Sequence, residues 1–193
     1  MKKVVAIVAA CAWAVPTLAQ AGFFGEDRSV KYTVAADYVE NDVSFSDTDF
    51  QGLSNRDLDT DMVNLKLGFR PENFAGRGSF VTFEAQVGMG LSDEESANDI
   101  ETDIYYGLFV VPHAVVFELF ELSFPVGYAR TELSKDGATE TFDSVSFGGN
   151  IMLPLRLFMP DAPDIRISGG GQVYHQSSEL RVFGYNVGLR WDF

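Results

Sequence analysis

The sequence predicts an all-β protein, an eight-stranded antiparallel up-and-down β-barrel that spans a membrane. Three observations predict it. Apolar residues recur with period two along most of the chain, the mark of strands whose two faces meet different surroundings. The runs number eight, the kind of even count that membrane barrels have. The connections alternate between long polar segments and shorter ones marked by Pro or Gly.

The first run places Val30, Tyr32, Val34, Ala36 and Tyr38 on one face, against Lys31, Thr33 and Asp37. The second sets Val63, Leu65, Leu67 and Phe69 against Asn64, Lys66, Gly68 and Arg70. The third sets Val81, Phe83, Ala85, Val87 and Met89 against Thr82, Glu84, Gln86 and Gly88. Ile104, Tyr106, Leu108 and Val110 make a fourth, and Phe120, Leu122, Phe124, Val126 and Tyr128 a fifth that faces away from Glu121, Ser123 and Gly127. The sixth has Val145, Phe147, Ile151, Leu153 and Leu155 opposite Ser146, Asn150 and Arg156. Ile165, Ile167 and Val173 form the seventh, opposite Arg166, Ser168, Gln172 and Tyr174. The eighth closes the chain with Phe183, Tyr185, Val187, Leu189, Trp191 and Phe193, opposite Asn186, Gly188, Arg190 and Asp192.

After the first, third, fifth and seventh runs come the polar segments 40–61, 92–103, 131–141 and 175–180. After the second, fourth and sixth come 71–79, a turn around Val111-Pro112-His113, and 159–164. Long loops at one end and short turns at the other are the layout of an outer-membrane barrel, with the long loops outside the cell. Alternation alone suits a soluble barrel equally well, because only the destination of the apolar face differs. Aromatics near the strand ends favour the membrane form: Tyr32, Phe69, Trp191 and Phe193 toward one rim and Tyr128 toward the other.

The chain begins MKKVVAIVAACAWAVPTLAQA, with two lysines, an apolar run and a small-x-small triplet. This reads as a secretory signal peptide over residues 1–21, cleaved after Ala21, leaving the barrel domain at 22–193. No other stretch is long and apolar enough for a membrane helix. Cleavage removes the single cysteine, so disulfides, cysteine-held zinc and thiol catalysis are excluded. It also removes Lys2 and Lys3, leaving 12 basic residues against 28 acidic ones. Such a surface repels nucleic acid.

The stretch YYGLFVVPHAVVFELFELSFPVGYARTEL, from Tyr105 to Leu133, and the ending YNVGLRWDF carry a resemblance. They are similar to the central hairpin and the aromatic close of the small OmpA-like and opacity-porin-like outer-membrane β-barrels. The resemblance implies residence in the outer membrane among lipid and lipopolysaccharide. It further implies insertion by the barrel-assembly machinery, for which Trp191 and Phe193 would be the assembly signal. The chain departs from OmpA itself in having no peptidoglycan-binding domain.

An eight-stranded barrel is just wide enough to be filled by its own side chains. Lys31, Arg70, Glu84, Glu121 and Arg166 are the candidate lumen network, which would leave at most a narrow ion path. The acidic residues Glu40 to Asp61 and Asp93 to Asp103 could hold divalent cations, but they lack calcium-loop spacing and read as solvated charge. The one enzyme alternative is His175-x-Ser177, which resembles the His-x-Ser pair of PagL-type lipid A deacylases and on a strand would fall on the lipid face with Val173. The position of that family's orienting Glu is Leu189 here, and Glu179 would have to substitute from a different geometry. His113, in the expected inner turn, receives no role. The expectation is a monomeric, non-enzymatic surface protein without cofactor or metal.

Overall fold

The computed structural model describes residues 30–46, 56–71, 78–91, 101–117, 119–135 and 138–193. The leader reading and the tips of the first two outer loops lie outside these residues.

Alternation yields strands throughout: β1 (Val30–Phe45), β2 (Arg56–Pro71), β3 (Ser79–Gly90), β4 (Glu101–Val116), β5 (Phe120–Ser123), β6 (Val126–Lys135), β7 (Ala138–Pro154), β8 (Ile165–Gln176) and β9 (Leu180–Asp192). β5 and β6 lie end to end between β4 and β7, so the nine strands make eight staves. What separates them is Phe124-Pro125, where proline lacks the N–H a ladder needs. The gap stays bonded, because Phe124 N donates to Pro112 O at 3.0 Å and Gly148 N to Pro125 O at 2.9 Å.

Each stave pairs antiparallel with its sequence neighbours, and β1 pairs with β9 from Thr33↔Asp192 to Phe45↔Leu180. The sheet is therefore a closed up-and-down barrel. Its last rung is a reciprocal pair, Tyr32 N to Phe193 O at 2.9 Å and Phe193 N to Tyr32 O at 3.0 Å. We call the end bearing Phe193 and the turns β2/β3, β4/β5 and β7/β8 the inner end.

The apolar faces point outward. Leu67, Leu108, Tyr128, Val145, Ile151, Tyr185 and Val187 are exposed, Leu108 to 72%. Asn64, Thr82, Ser146 and Gln172, on the opposite faces, are fully buried. A soluble barrel has the reverse arrangement.

Two segments differ from the sequence reading. The expected turn at 111–113 is strand, and β4 continues to Val116 because the inward phase of Phe109, Val111 and His113 runs on without interruption. Described parts of the first and third expected outer loops are strand as well: Glu40–Phe45 pairs with Arg56–Asp61, and β6 and β7 remain paired out to Lys135↔Ala138.

Deleting Phe193 removes both bonds of the closing rung and the Trp191 and Tyr32 ring contacts at 5.9 and 6.3 Å. Assembled, heat-modifiable protein should fall several-fold, as read on gels of outer-membrane fractions. Unchanged levels would contradict this.

Candidate functional site: the lumen and outer rim

Inward side chains stack in three layers. The inner layer is ionic. Arg190 Nη1 donates to Glu84 at 2.9 Å and its Nε to Asp192 at 3.1 Å. Asp192 also pairs with Arg166, whose Nε lies 3.6 Å from Glu121. Glu121 lies 2.6 Å from His113 Nδ1, His113 Nε2 is 2.8 Å from Thr82 Oγ1, and Thr82 donates back to Glu84 at 3.1 Å. These seven residues, supplied by β3, β4, β5, β8 and β9, form a closed circuit. A second pair, Lys66 and Asp37 at 2.5 Å, lies alongside.

Backbone position explains how charge fits here. Gly188 stands opposite Asp37, and a Cβ there would collide with the Asp37 carboxylate; a Cβ on Gly68 would come within 2.9 Å of Glu84 Cγ. Glycine thus leaves volume for the ionic side chains of neighbouring staves. Between them remains a cavity of about 20 Å³ lined by Asp37, Lys66, Glu84, Gln86, Asn150 and Arg190, among others. That is room for about one water and not for a solute.

The middle layer is uncharged and hydrogen-bonded. Gln172 Nε2 donates to Tyr105 Oη and Ser146 Oγ, both at 3.0 Å, and Asn64 donates to Gln86 at 3.3 Å. The Tyr105 and Tyr174 rings meet edge to face with centroids 4.8 Å apart.

The outer layer is mostly apolar, with Asn41, Thr60 and Thr102 buried within it, where Asn41 Nδ2 donates to Thr60 Oγ1 at 3.4 Å and the Thr60 and Thr102 hydroxyls lie 2.9 Å apart. Val39, Val43, Phe45, Met62, Leu133, Leu180 and Val182 are buried inside the barrel, with Leu58 and Phe142 packed against them. Outward positions at the same height are acidic: Glu40 and Asp42 on β1 stand opposite Asp61 and Asp59 on β2. The polarity of the two faces inverts where the staves leave the apolar belt.

Of the five residues expected to line the lumen, the structure brings together Glu84, Glu121 and Arg166. Lys31 is exposed at the inner rim, and no ion pair among the described residues includes it. Arg70 places its guanidinium 4.3 Å over the Phe80 ring, whose other neighbour is His113, stacked at 4.4 Å. That stack covers the inner mouth of the circuit. His113, left without a role, is thus a central member, and Arg190 and Asp192 are the strongest missed partners. Their inward phase was legible, but which inward charges would meet was not.

His175 does not face lipid. The pairing of β8 with β9 shifts between Val173 and His175, and this bulge turns the ring into the lumen, 4% exposed and 5.5 Å from Phe142. Neither ring nitrogen has a hydrogen-bond partner. Ser177 belongs to the β8/β9 turn: its Oγ accepts from Leu180 N at 3.0 Å and Glu179 N at 3.2 Å. The two side chains form no nucleophile–base pair.

No protein-family model matches the sequence, and no curated protein does. Solved structures do resemble it. Ail, the attachment invasion locus protein of Yersinia pestis, in complex with the heparin analogue sucrose octasulfate, superposes with TM-score 0.56 at 15% identity, over 86% of this chain and 99% of that one. Neisserial surface protein A gives TM-score 0.56 at 12% identity, over 84% and 97%. The fold is that of the small outer-membrane β-barrels. Likeness at such identity speaks for the fold alone.

Replacing Arg190 by Met leaves Glu84 and Asp192 short of their shared cation in a buried site. Removing one partner of such a network costs about 3–5 kcal/mol, so the variant should unfold at clearly lower urea in detergent than the parent. An unchanged midpoint would show the circuit to be dispensable.

Proposed function

We propose that this chain is a monomeric outer-membrane protein whose barrel is a closed, lipid-embedded frame that presents an acidic outer rim to partners outside the cell. The observation that carries this reading is the combination of an outward apolar belt with a lumen filled by inward side chains. The ionic circuit leaves a cavity of only about 20 Å³, which favours a frame over a narrow channel. Lipid and lipopolysaccharide would surround the belt, and the Trp191 and Phe193 end would be read during insertion by the assembly machinery.

Charge on the rim narrows the partner. Exposed Glu40, Asp42, Asp59, Asp103, Glu140 and Glu179 stand against Arg130, Lys135 and Arg181, and Arg130 is already held by Asp143 at 2.7 and 2.8 Å. Ail was solved with a sulfated heparin analogue. A polyanion would be repelled by the rim of this chain, whereas a basic polypeptide surface would be attracted to it. Protein in lipid nanodiscs should bind polylysine with strong salt dependence and leave heparin unbound; preference for heparin would overturn the assignment of charge.

Two further outcomes follow from the same reading. Purified protein in planar bilayers should show no steady conductance, and resolved unitary currents would favour the channel. Lipid A from cells carrying Ser177→Ala should have the acylation pattern of the parent, and a change would revive the deacylase.

A further inference from the structure

Resting on the membrane reading above, we infer that two inner turns, β4/β5 and β7/β8, are seated in the inner-leaflet interface of the bilayer and anchor that side of the barrel to lipid. The thickness of the bilayer limits how much apolar surface it can cover. Outward residues succeed one another about 6.6 Å apart along a strand, and a tilt of about 40° makes each row worth about 5 Å of height. Five rows therefore fill the apolar band of about 25 Å.

The staves β1, β2 and β7, whose outer boundaries are marked by Glu40, Asp61 and Asp143, have those five rows. Below Glu40, β1 has Tyr38, Ala36, Val34, Tyr32 and Val30; below Asp61, β2 has Val63, Leu65, Leu67, Phe69 and Pro71. Around the barrel, the boundary row is Tyr106 on β4, level with the ion pair Arg130–Asp143 on β6 and β7. Below it, β4 has Leu108, Val110, Pro112, Ala114 and Val116, and β7 has Val145, Phe147, Gly149, Ile151 and Leu153.

On this side the apolar surface does not stop there. Phe117 and Leu119 follow β4, and Leu157, Phe158 and Met159 follow β7, all exposed, Phe117 to 88%. The two turns are neighbours on the rim, since β4, β5, β7 and β8 are consecutive in the ring. The first turn adjoins the outward face of β5 through the Phe117 and Phe120 rings, 6.5 Å apart, and Phe124 and Ile151 are exposed on the same staves.

Local structure argues that these side chains are held in place. Phe117 has φ +53°, a left-handed conformation that glycine would fill without strain. The second turn is pinned by Phe158 N and Met159 N donating to Leu155 O, both at 3.0 Å, and Ala162 N to Met159 O at 2.9 Å. Large apolar side chains displayed from ordered turns, one on strained backbone, would be unfavourable in water. At the level where acyl chains give way to headgroups they are favourable, and the flanking Arg156–Asp164 pair at 2.8 Å suits the polar side of that boundary.

The test uses single cysteines in a Cys11→Ala background of the full chain, each carrying an environment-sensitive fluorophore, in vesicles of phosphatidylethanolamine and phosphatidylglycerol. Leu119→Cys and Phe158→Cys probe the two turns, Phe147→Cys the belt, and Lys31→Cys the exposed inner rim of β1. Heat-modifiable mobility verifies folding of each, and two turn positions guard against one failing. The turn labels should be quenched by lipids bearing a headgroup-proximal nitroxide and be several-fold less accessible to iodide than the Lys31 label. Iodide access equal to that at Lys31 would overturn the inference and leave the turns facing water, open to a soluble partner. Absence of lipid quenching at Phe147 would instead remove the membrane reading itself, and the inference with it.

Discussion

The pairing of β1 with β9 is the constraint on which the rest of the structure depends. In hydrocarbon an unpaired N–H or C=O has no water to turn to and costs several kcal/mol. An open edge of 13 paired positions, Thr33 to Phe45, would be prohibitive. Once the ring is closed, the outward faces must be apolar and the inward polar groups must look mainly to one another for partners in a space with little room for water. The ionic circuit, the amide layer and the apolar plug are three local answers to that single demand.

The answers differ with height because the surroundings do. Within the belt, outward residues meet lipid and inward ones can be polar, provided that each finds a partner on another stave. Beyond the belt, outward residues meet water, so carboxylates such as Glu40 and Asp42 move outside and Val43, Phe45 and Val182 move inside, as in a soluble barrel. The molecule is an inside-out barrel below and an ordinary one above. The upper part carries the acidic rim beyond the apolar belt.

The same inversion explains what the sequence reading missed. Segment 40–61 looked like loop because its charges interrupt the apolar phase, yet Val39, Val43 and Phe45 continue the inward phase begun by Thr33 and Asp37. Reading the phase of the inward residues, and not only that of the outward ones, would have extended the strand. The placement of His175 was out of reach of periodicity, since a bulge at Val173 resets the phase by one residue and nothing local announces it.

From the sequence alone came the eight staves, the face each turns outward within the belt, and the inward phase of Glu84, Glu121 and Arg166. All of these are set by period two, a property of neighbouring residues along one strand. The expected contrast of long outer and short inner connections, by comparison, fails where β6/β7 and β8/β9 turn tightly and β7/β8 spans 155–164. Only the tertiary structure decided that Arg190 meets Glu84, that His113 bridges Glu121 and Thr82, that Arg70 leaves the network to stack on Phe80, and that an apolar cluster gathers inside the outer lumen. Those outcomes depend on register between strands up to 106 residues apart and on ring closure, which place side chains across a lumen that no stretch of sequence contains.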